Sequence, residues 1–275
     1  FANNIYLSLS SSLFYLRFIF FALFVWYIIE KNPKLFFKSL LYVLIFLSLF
    51  LIIDSYLQFF TNFNLFGFYK MEPHRLSGIF RDEYVLGSFL IKLLPLLLTS
   101  IFFYNLFKKK YYLYFLFFFS FYFSLIFISG ERSALLLLLL LLCSYFCYSK
   151  QLRFLILLMF LISLLVIIVA IFHNPVVYER MITATIGSFF NDGFILVSHV
   201  HQDIYLTSIN IIKDNYIFGI APKMFREYCL LDYYAVGLNS CTTHPHNYYL
   251  QLLLETGVIG LLIILFFIYN IFKNT

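Results

Sequence analysis

Two histidines flanking a proline, just ahead of a polar-striped helix, are the residues in this sequence best suited to move a proton. They open the stretch 244–260, HPHNYYLQLLLETGVIG. Pro245 keeps His244 extended and Asn247 is a good N-cap, so a helix is expected to start just after His246. This puts His246 at the positive end of a helix, at the water boundary, where a neutral imidazole can accept a proton near pH 7 and an anionic substrate is favoured. Asn247, Gln251 and Glu255 follow at i, i+4 and i+8, one polar stripe descending from that end.

His199 and His201 are also spaced i, i+2, and with His244 and His246 they raise the question of a metal site. No matching Asp or Cys stands near them, and on a helix i and i+2 diverge, so neither a metal nor any other cofactor is expected. His74 and His173 show no constellation. Of the ionisable residues inside apolar runs, Asp54, Lys92 and Glu255 are the candidates for a partner or a task, since each costs roughly 2.5 kcal/mol or more without one. Counted from the nearer ends of their runs, Asp54 lies about 9 Å deep and the other two about 12 Å. Lys92 is therefore expected to pair with Asp54 or Glu255, the alternative being that each snorkels to water. Asp54 and Gln58 share a helix face as well, and both polar stripes predict a polar cavity towards the same ends of their helices.

The elements that must position these residues are membrane helices. The sequence is 63% hydrophobic and 12% charged, with mean hydropathy +0.92, whereas soluble domains carry roughly 25% charge. Its apolar runs approach or exceed the roughly 20 residues that a helix needs to cross the hydrocarbon, and 134–142 shows none of the alternation of a barrel strand. The expected architecture is all-α, a polytopic helical bundle with about seven spans, near 9–29, 35–60, 84–105, 111–128, 134–148, 154–172 and 247–271. With Phe1 in first place and no cleavable leader pattern, the sequence reads as a piece of a longer protein.

Charge sets the expected orientation. Lys31, Lys34, Lys38, Lys108, Lys109, Lys110, Lys150, Arg153 and Lys273 fall in alternate connections whose only acid is Glu30, the cytoplasmic side by the positive-inside rule. These nine of the 19 basic residues account for much of the net charge of +6, so nucleic-acid binding is not expected. The opposite connections balance Lys70, Arg75 and Arg81 against Glu72, Asp82 and Glu83, and Arg132 against Glu131. They end in a long polar segment, 173–246, in which 197–212 and, more weakly, 224–231 keep helical spacing. Residues 1–275 read as a single polytopic domain carrying that segment as an exported loop. Cys229 and Cys241 share the loop, where a disulfide is the expectation and two free thiols the alternative. Cys143 and Cys147, near the other side, are expected to stay reduced.

The His-Pro-His-Asn run leading into Tyr-Leu-Gln and Glu-x-Gly-x-x-Gly resembles the signature of the O-antigen ligase and polymerase family. RLSGIFRDEYVLGSFL (75–90), SGERSAL (129–135) and NYIFGIAPKMFREYC are similar to further stretches of that family, in order and spacing, over about four-fifths of the chain. Ala221 departs from it, standing where a second glycine of a Gly-x-Gly turn is expected.

The resemblance implies a glycosyltransferase-C-like enzyme of the bacterial cell inner membrane, its active site facing the periplasm. Its reaction would move a glycan from an undecaprenyl-diphosphate carrier to an acceptor hydroxyl on lipid A core, another glycan or a protein, without a metal. By the same resemblance His246 is the base, assisted by His244, and Arg75 and Arg132 take the diphosphate, with Arg226 and Arg81 in reserve. Guanidinium forks suit the charge that grows on such a leaving group. Ligase, polymerase and protein O-oligosaccharyltransferase are alternatives within this class. A lipid-linked oligosaccharide transporter or flippase is the alternative outside it, and would need polar groups at both gates or discontinuous helices near the midplane.

Overall fold

Asn32 separates the first two long helices by capping the second. α1 (Ile5–Lys31) stops one residue before it, and its Oδ1 accepts the Leu35 amide at 3.2 Å where Pro33 opens α2 (Pro33–Thr61). α2 ends on Asn62 in the left-handed conformation, φ 67°. There follow α3 (Leu86–Phe103), α4 (Tyr112–Ile128), α5 (Arg132–Tyr148) and α6 (Arg153–His173). Arg153 opens α6 and donates back to the Phe146 and Cys147 carbonyls, capping the end of α5. Beyond them lie a composite segment, α7 (Val176–Tyr178), a π-helical turn (Glu179–Thr183) and α8 (Ala184–Phe190), then α9 (His199–Asp214), α10 (Phe225–Tyr228) and α11 (Tyr248–Lys273).

This computed structural model describes residues 4–104, 106, 109–150, 152–190 and 199–273, so Lys108 and Val197 lie outside the described residues, as does the side chain of His199. Among the described residues the fold is 75% helical without strands. Each of the seven expected spans falls on a helix, and five of these (α1, α2, α3, α6 and α11) are long and apolar enough to cross a membrane. The protein is an all-α polytopic membrane protein. α4 and α5, at 17 residues each, are apolar but shorter. The helical spacing of 224–231 amounts to one turn, α10.

The chain packs as two compact units, Ile28–Gly187 and the pairing of Phe1–Tyr27 with Ser188–Thr275. In the first, α4 packs on α6, α2 and α3 around Leu51, Leu90, Leu94, Phe119, Tyr122 and Ile126, all nearly fully buried. Several polar side chains in this core find carbonyl partners: Tyr122 donates to Leu90 at 2.7 Å, and Ser120 and Ser124 donate one turn back. Asp54 and Gln58 are buried too, but a loop covers them. Asp54 accepts from the Leu65 amide at 3.0 Å and Asn64 Nδ2 at 3.4 Å, while Gln58 accepts from the Gly78 amide at 2.8 Å. The expected Lys92–Asp54 pair is absent: Lys92 is exposed, and the carboxylate already serves the loop. The stripe on α2 is a filled plug rather than the wall of an open cavity.

In the other unit, α9 packs on α11, which is interrupted at Gly257 (φ 66°, ψ −171°). The break frees two carbonyls and two amides, and the turn 216–221 takes all four. Ile220 and Ala221 donate to the Leu254 and Glu255 carbonyls at 2.8 and 3.0 Å, and Val258 and Ile259 donate to Tyr216 and Ile217 at 2.8 and 3.4 Å. Glycine is needed for this approach, since a Cβ on Gly257 would stand 2.2 Å from the Ile217 oxygen. Ala221 adopts φ 76° in the same turn. The missing glycine therefore leaves the turn formed and places the strain on alanine, about 1–2 kcal/mol for an L-residue in this conformation.

Two substitutions with opposite signs check this weld. Ala221→Gly is expected to stabilise the protein by roughly 0.5–1 kcal/mol, the relieved strain less glycine's extra chain entropy. Gly257→Ala should destabilise it by roughly 2 kcal/mol or more, as positive φ and a backbone clash combine. Thermal unfolding of the detergent-solubilised protein reads both.

Candidate functional site

The loops 74–78 and 129–132 are laced together. The Leu76 amide donates to the Ser129 carbonyl at 3.3 Å, and Gly130 (φ 79°) lies so near that a Cβ there would stand 2.5 Å from the His74 oxygen. Glu131 then fixes the pair to α3: its oxygens accept the Gly87 and Ser88 amides at 2.6 and 3.1 Å and the Ser88 hydroxyl, a carboxylate at a helix N-terminus. The acid beside Arg132 in sequence is thereby spent on backbone amides.

What gathers around Gly130 is cationic. A Cβ on it would meet Arg75 Cγ at 3.2 Å and Arg180 Nε at 3.3 Å, and Arg180 Nε donates to the Gly130 carbonyl at 2.8 Å. Arg132 donates to the Arg180 carbonyl at 3.1 Å; Arg75 donates to the Tyr84 carbonyl at 2.9 Å and lies over the Tyr84 ring, its Nε buried without a partner. Burial first, then the charges of Arg75 and Arg132, push the Arg180 guanidinium below its usual value, against the opposing pull of Glu72 and Glu131. Glu72 is engaged by His74 at 3.1 Å. An open pocket of about 250 Å³ adjoins the cluster, lined by His74, Arg132, Val176, Glu179, Arg180 and Ala184.

Of the four arginines expected to bind a diphosphate, Arg75 and Arg132 come together here. Arg81 stands apart, stacked over the Phe68 ring at 4.5 Å, and Arg226 belongs to the other unit, in α10. Arg180 was not anticipated. Beside Glu179 in sequence it reads as half of a neutral pair, and its place depends on the path of the π-helical turn, which no local pattern announces.

His201, His244 and His246 lie in the unit containing α11. Asn247 caps that helix as expected, its Oδ1 accepting the Tyr249 and Leu250 amides at 3.0 and 3.1 Å. His246 precedes it with φ 55°, exposed, its ring centroid 4.3 Å from His244 and 5.6 Å from His201 on α9. Thr243 Oγ1 contacts His244 Nδ1 at 2.9 Å. Partial desolvation, then His244 and His201, hold the His246 imidazole below its ordinary value. Among the described residues, no group of three His, Cys, Asp or Glu is arranged to hold a metal. Below the cap, Gln251 donates to Glu255 at 2.8 Å, and Glu255 accepts the Lys223 amide at 3.2 Å, so this stripe anchors the turn before α10. Cys229 and Cys241 are joined, their Cα atoms 5.1 Å apart.

Fold and site together define a polytopic helical membrane protein with a guanidinium cluster in one set of loops and an imidazole pair capping a helix in another. The family model described as O-antigen ligase matches residues 115–265, more than half of the chain, and the chain belongs to that family, whose members are glycosyltransferase-like ligases. Among curated proteins and among solved structures, none matches the chain.

The crowding of imidazoles has a measurable sign. Observed by NMR with labelled histidine, His246 should titrate below the ordinary value of about 6.5, and His244→Gln should move its midpoint upward by removing a competing cation. An unchanged midpoint would show that the neighbouring ring does not act on it.

Proposed function

We propose that the protein is an O-antigen ligase, moving a glycan from an undecaprenyl-diphosphate carrier to an acceptor hydroxyl in lipopolysaccharide biosynthesis, at the periplasmic face of the inner membrane. The observation that carries this reading is the grouping of Arg75, Arg132 and Arg180 around Gly130, where Glu131 is bound to helix amides, Glu72 contacts His74, and Glu179 lines the adjoining pocket. Three guanidiniums gathered at one point favour a multiply charged anion, and the diphosphate is the group whose charge grows as the glycosidic bond breaks. Removing one such donor costs roughly a hundredfold in turnover.

His246 takes the acceptor's proton. Its depressed proton affinity keeps the imidazole neutral, and thus able to accept, at and somewhat below neutral pH. Activity by this route is constant above that value and falls as acid protonates the ring. Lipid A core is the acceptor for a ligase; a growing glycan or a protein hydroxyl would make the same chemistry a polymerase or a protein glycosyltransferase.

One observation favours a second reading. α11 is a discontinuous helix, a feature of membrane transporters as well, and a lipid-linked oligosaccharide carrier is the transporter in question. Reconstitution in liposomes with a lipid-diphosphate-linked sugar and candidate acceptors separates the two, because only the transferase yields a glycosylated acceptor. Arg75→Lys and Arg180→Lys should weaken donor binding and cut turnover roughly a hundredfold. His246→Gln should abolish turnover while donor binding persists, and chelators should leave the rate unchanged. Wild-type turnover in the Arg variants, or a chelator-sensitive rate, would overturn the proposed mechanism.

A further inference from the structure

The connection between α2 and α3 begins with a hairpin, TNFNLFGFYKM (61–71), that is folded inside out for water. Beyond Thr61 and Asn62, which are exposed where α2 ends, the polar side chains are the hidden ones: Asn64 and Lys70 are 4% and 6% exposed, whereas Phe66 and Met71 are 61% and 66% exposed and Phe63, Leu65 and Tyr69 more than half. A loop facing water would show the reverse.

The backbone is arranged for the same surroundings. Every amide from Asn62 to Phe68 donates: Asn62 to the Gln58 carbonyl, Phe63 to Thr61 Oγ1, Asn64 to the Phe68 carbonyl, Leu65 to Asp54 Oδ1, Phe66 and Phe68 to Asn64 Oδ1, and Gly67 to the Asn64 carbonyl. Lys70 adds a bond to the Asn62 carbonyl. Seven consecutive satisfied amides are unusual for a loop in water and are required of non-helical backbone in hydrocarbon. The Lys70 Nζ lies 5.2 Å from the Phe59 ring centre.

The hairpin runs back along its own helix. Leu65 is bonded to Asp54, and the Phe66 ring lies 6.1 Å from that of Phe50, so its tip sits about 10 Å or more below the end of α2 at 1.5 Å per residue. At that depth its apolar side chains continue the exposed face of α2 that includes Phe46, Ile53 and Phe60.

We infer that the hairpin is a re-entrant loop immersed in the bilayer, its Phe63, Leu65 and Phe66 side chains in contact with phospholipid acyl chains beside α2. Asp54 and Asn64 are the groups that make immersion possible, because between them they accept amides that lipid cannot. This inference rests on the membrane character of the fold and is independent of the glycan-transfer reading.

Fluorescence tests it directly, since Trp26 is the only native tryptophan. The full chain carrying Trp26→Phe and Phe66→Trp is reconstituted in phosphatidylcholine–phosphatidylglycerol vesicles, with Leu65→Trp as a second reporter should the first fail to fold. Lipids spin-labelled at mid-chain are expected to quench emission roughly twofold or more, and aqueous iodide hardly at all, as for a group within the hydrocarbon. Quenching by iodide alone would place the hairpin in water. Protection from both quenchers would place a protein surface, such as a second copy, over it. Either result overturns the inference, and neither depends on donor or turnover.

Discussion

An amide or carbonyl left unpaired in hydrocarbon costs several kcal/mol, and the departures from helix in this protein are shaped by that penalty. At Gly257 the helix opens and the turn 216–221 supplies a partner for each of the four freed groups. Below Asn62 the chain folds back along α2, and Asn64, Gln58 and Asp54 supply partners for the turn. The penalty also assigns roles to the polar residues inside the spans. Asp54 lies deep because the Leu65 amide is beside it, and an acceptor so committed has little to gain from a lysine.

The same accounting of partners separates structure from chemistry in the loops. Glu131 is a carboxylate next to Arg132 in sequence, yet its oxygens serve the first amides of α3, where the helix dipole adds to the stabilisation. Locking that loop to α3 holds the Gly130 backbone where Arg75 and Arg180 close on it, and Gly130 tolerates both the positive φ and the close approach. The guanidiniums are thus preorganised, which is the condition under which charge developing on a substrate is stabilised most.

What the sequence made legible was set by local rules. Run length and flanking charge locate the helices to within a few residues, and Pro245 with Asn247 fixes where α11 starts, hence where His246 stands. Pairings that depend on the route of the chain were hidden. Arg180 enters the cluster only because a π-helical turn follows α7, and Lys92, which shares a membrane level with Asp54 on paper, points out to the surface. The hairpin escaped for a different reason: Asn62 and Asn64 interleaved with Phe63 and Leu65 have the look of an ordinary polar loop, and only the burial of Asn64 shows which set of side chains faces inward. Ala221 shows the reverse, a departure from an expected pattern that the fold absorbs as local strain.

The break in α11 weighs on the choice between a transferase and a carrier. In a carrier, half-helices end at a substrate or ion, and their free groups are exchanged between ligand and protein as the gates move. Here the free groups at Gly257 are held by the protein itself, at 2.8 to 3.4 Å, and a side chain on Gly257 would collide with the turn that holds them. Opening such a joint would release four backbone groups together, each at a cost of several kcal/mol in an apolar setting. A joint of that kind serves better to fix the N-terminal half of α11, and with it His246, than to swing; for His246 in the proposed role of base such rigid placement suits group transfer, where a displacement of about 1 Å can cost a hundredfold in rate.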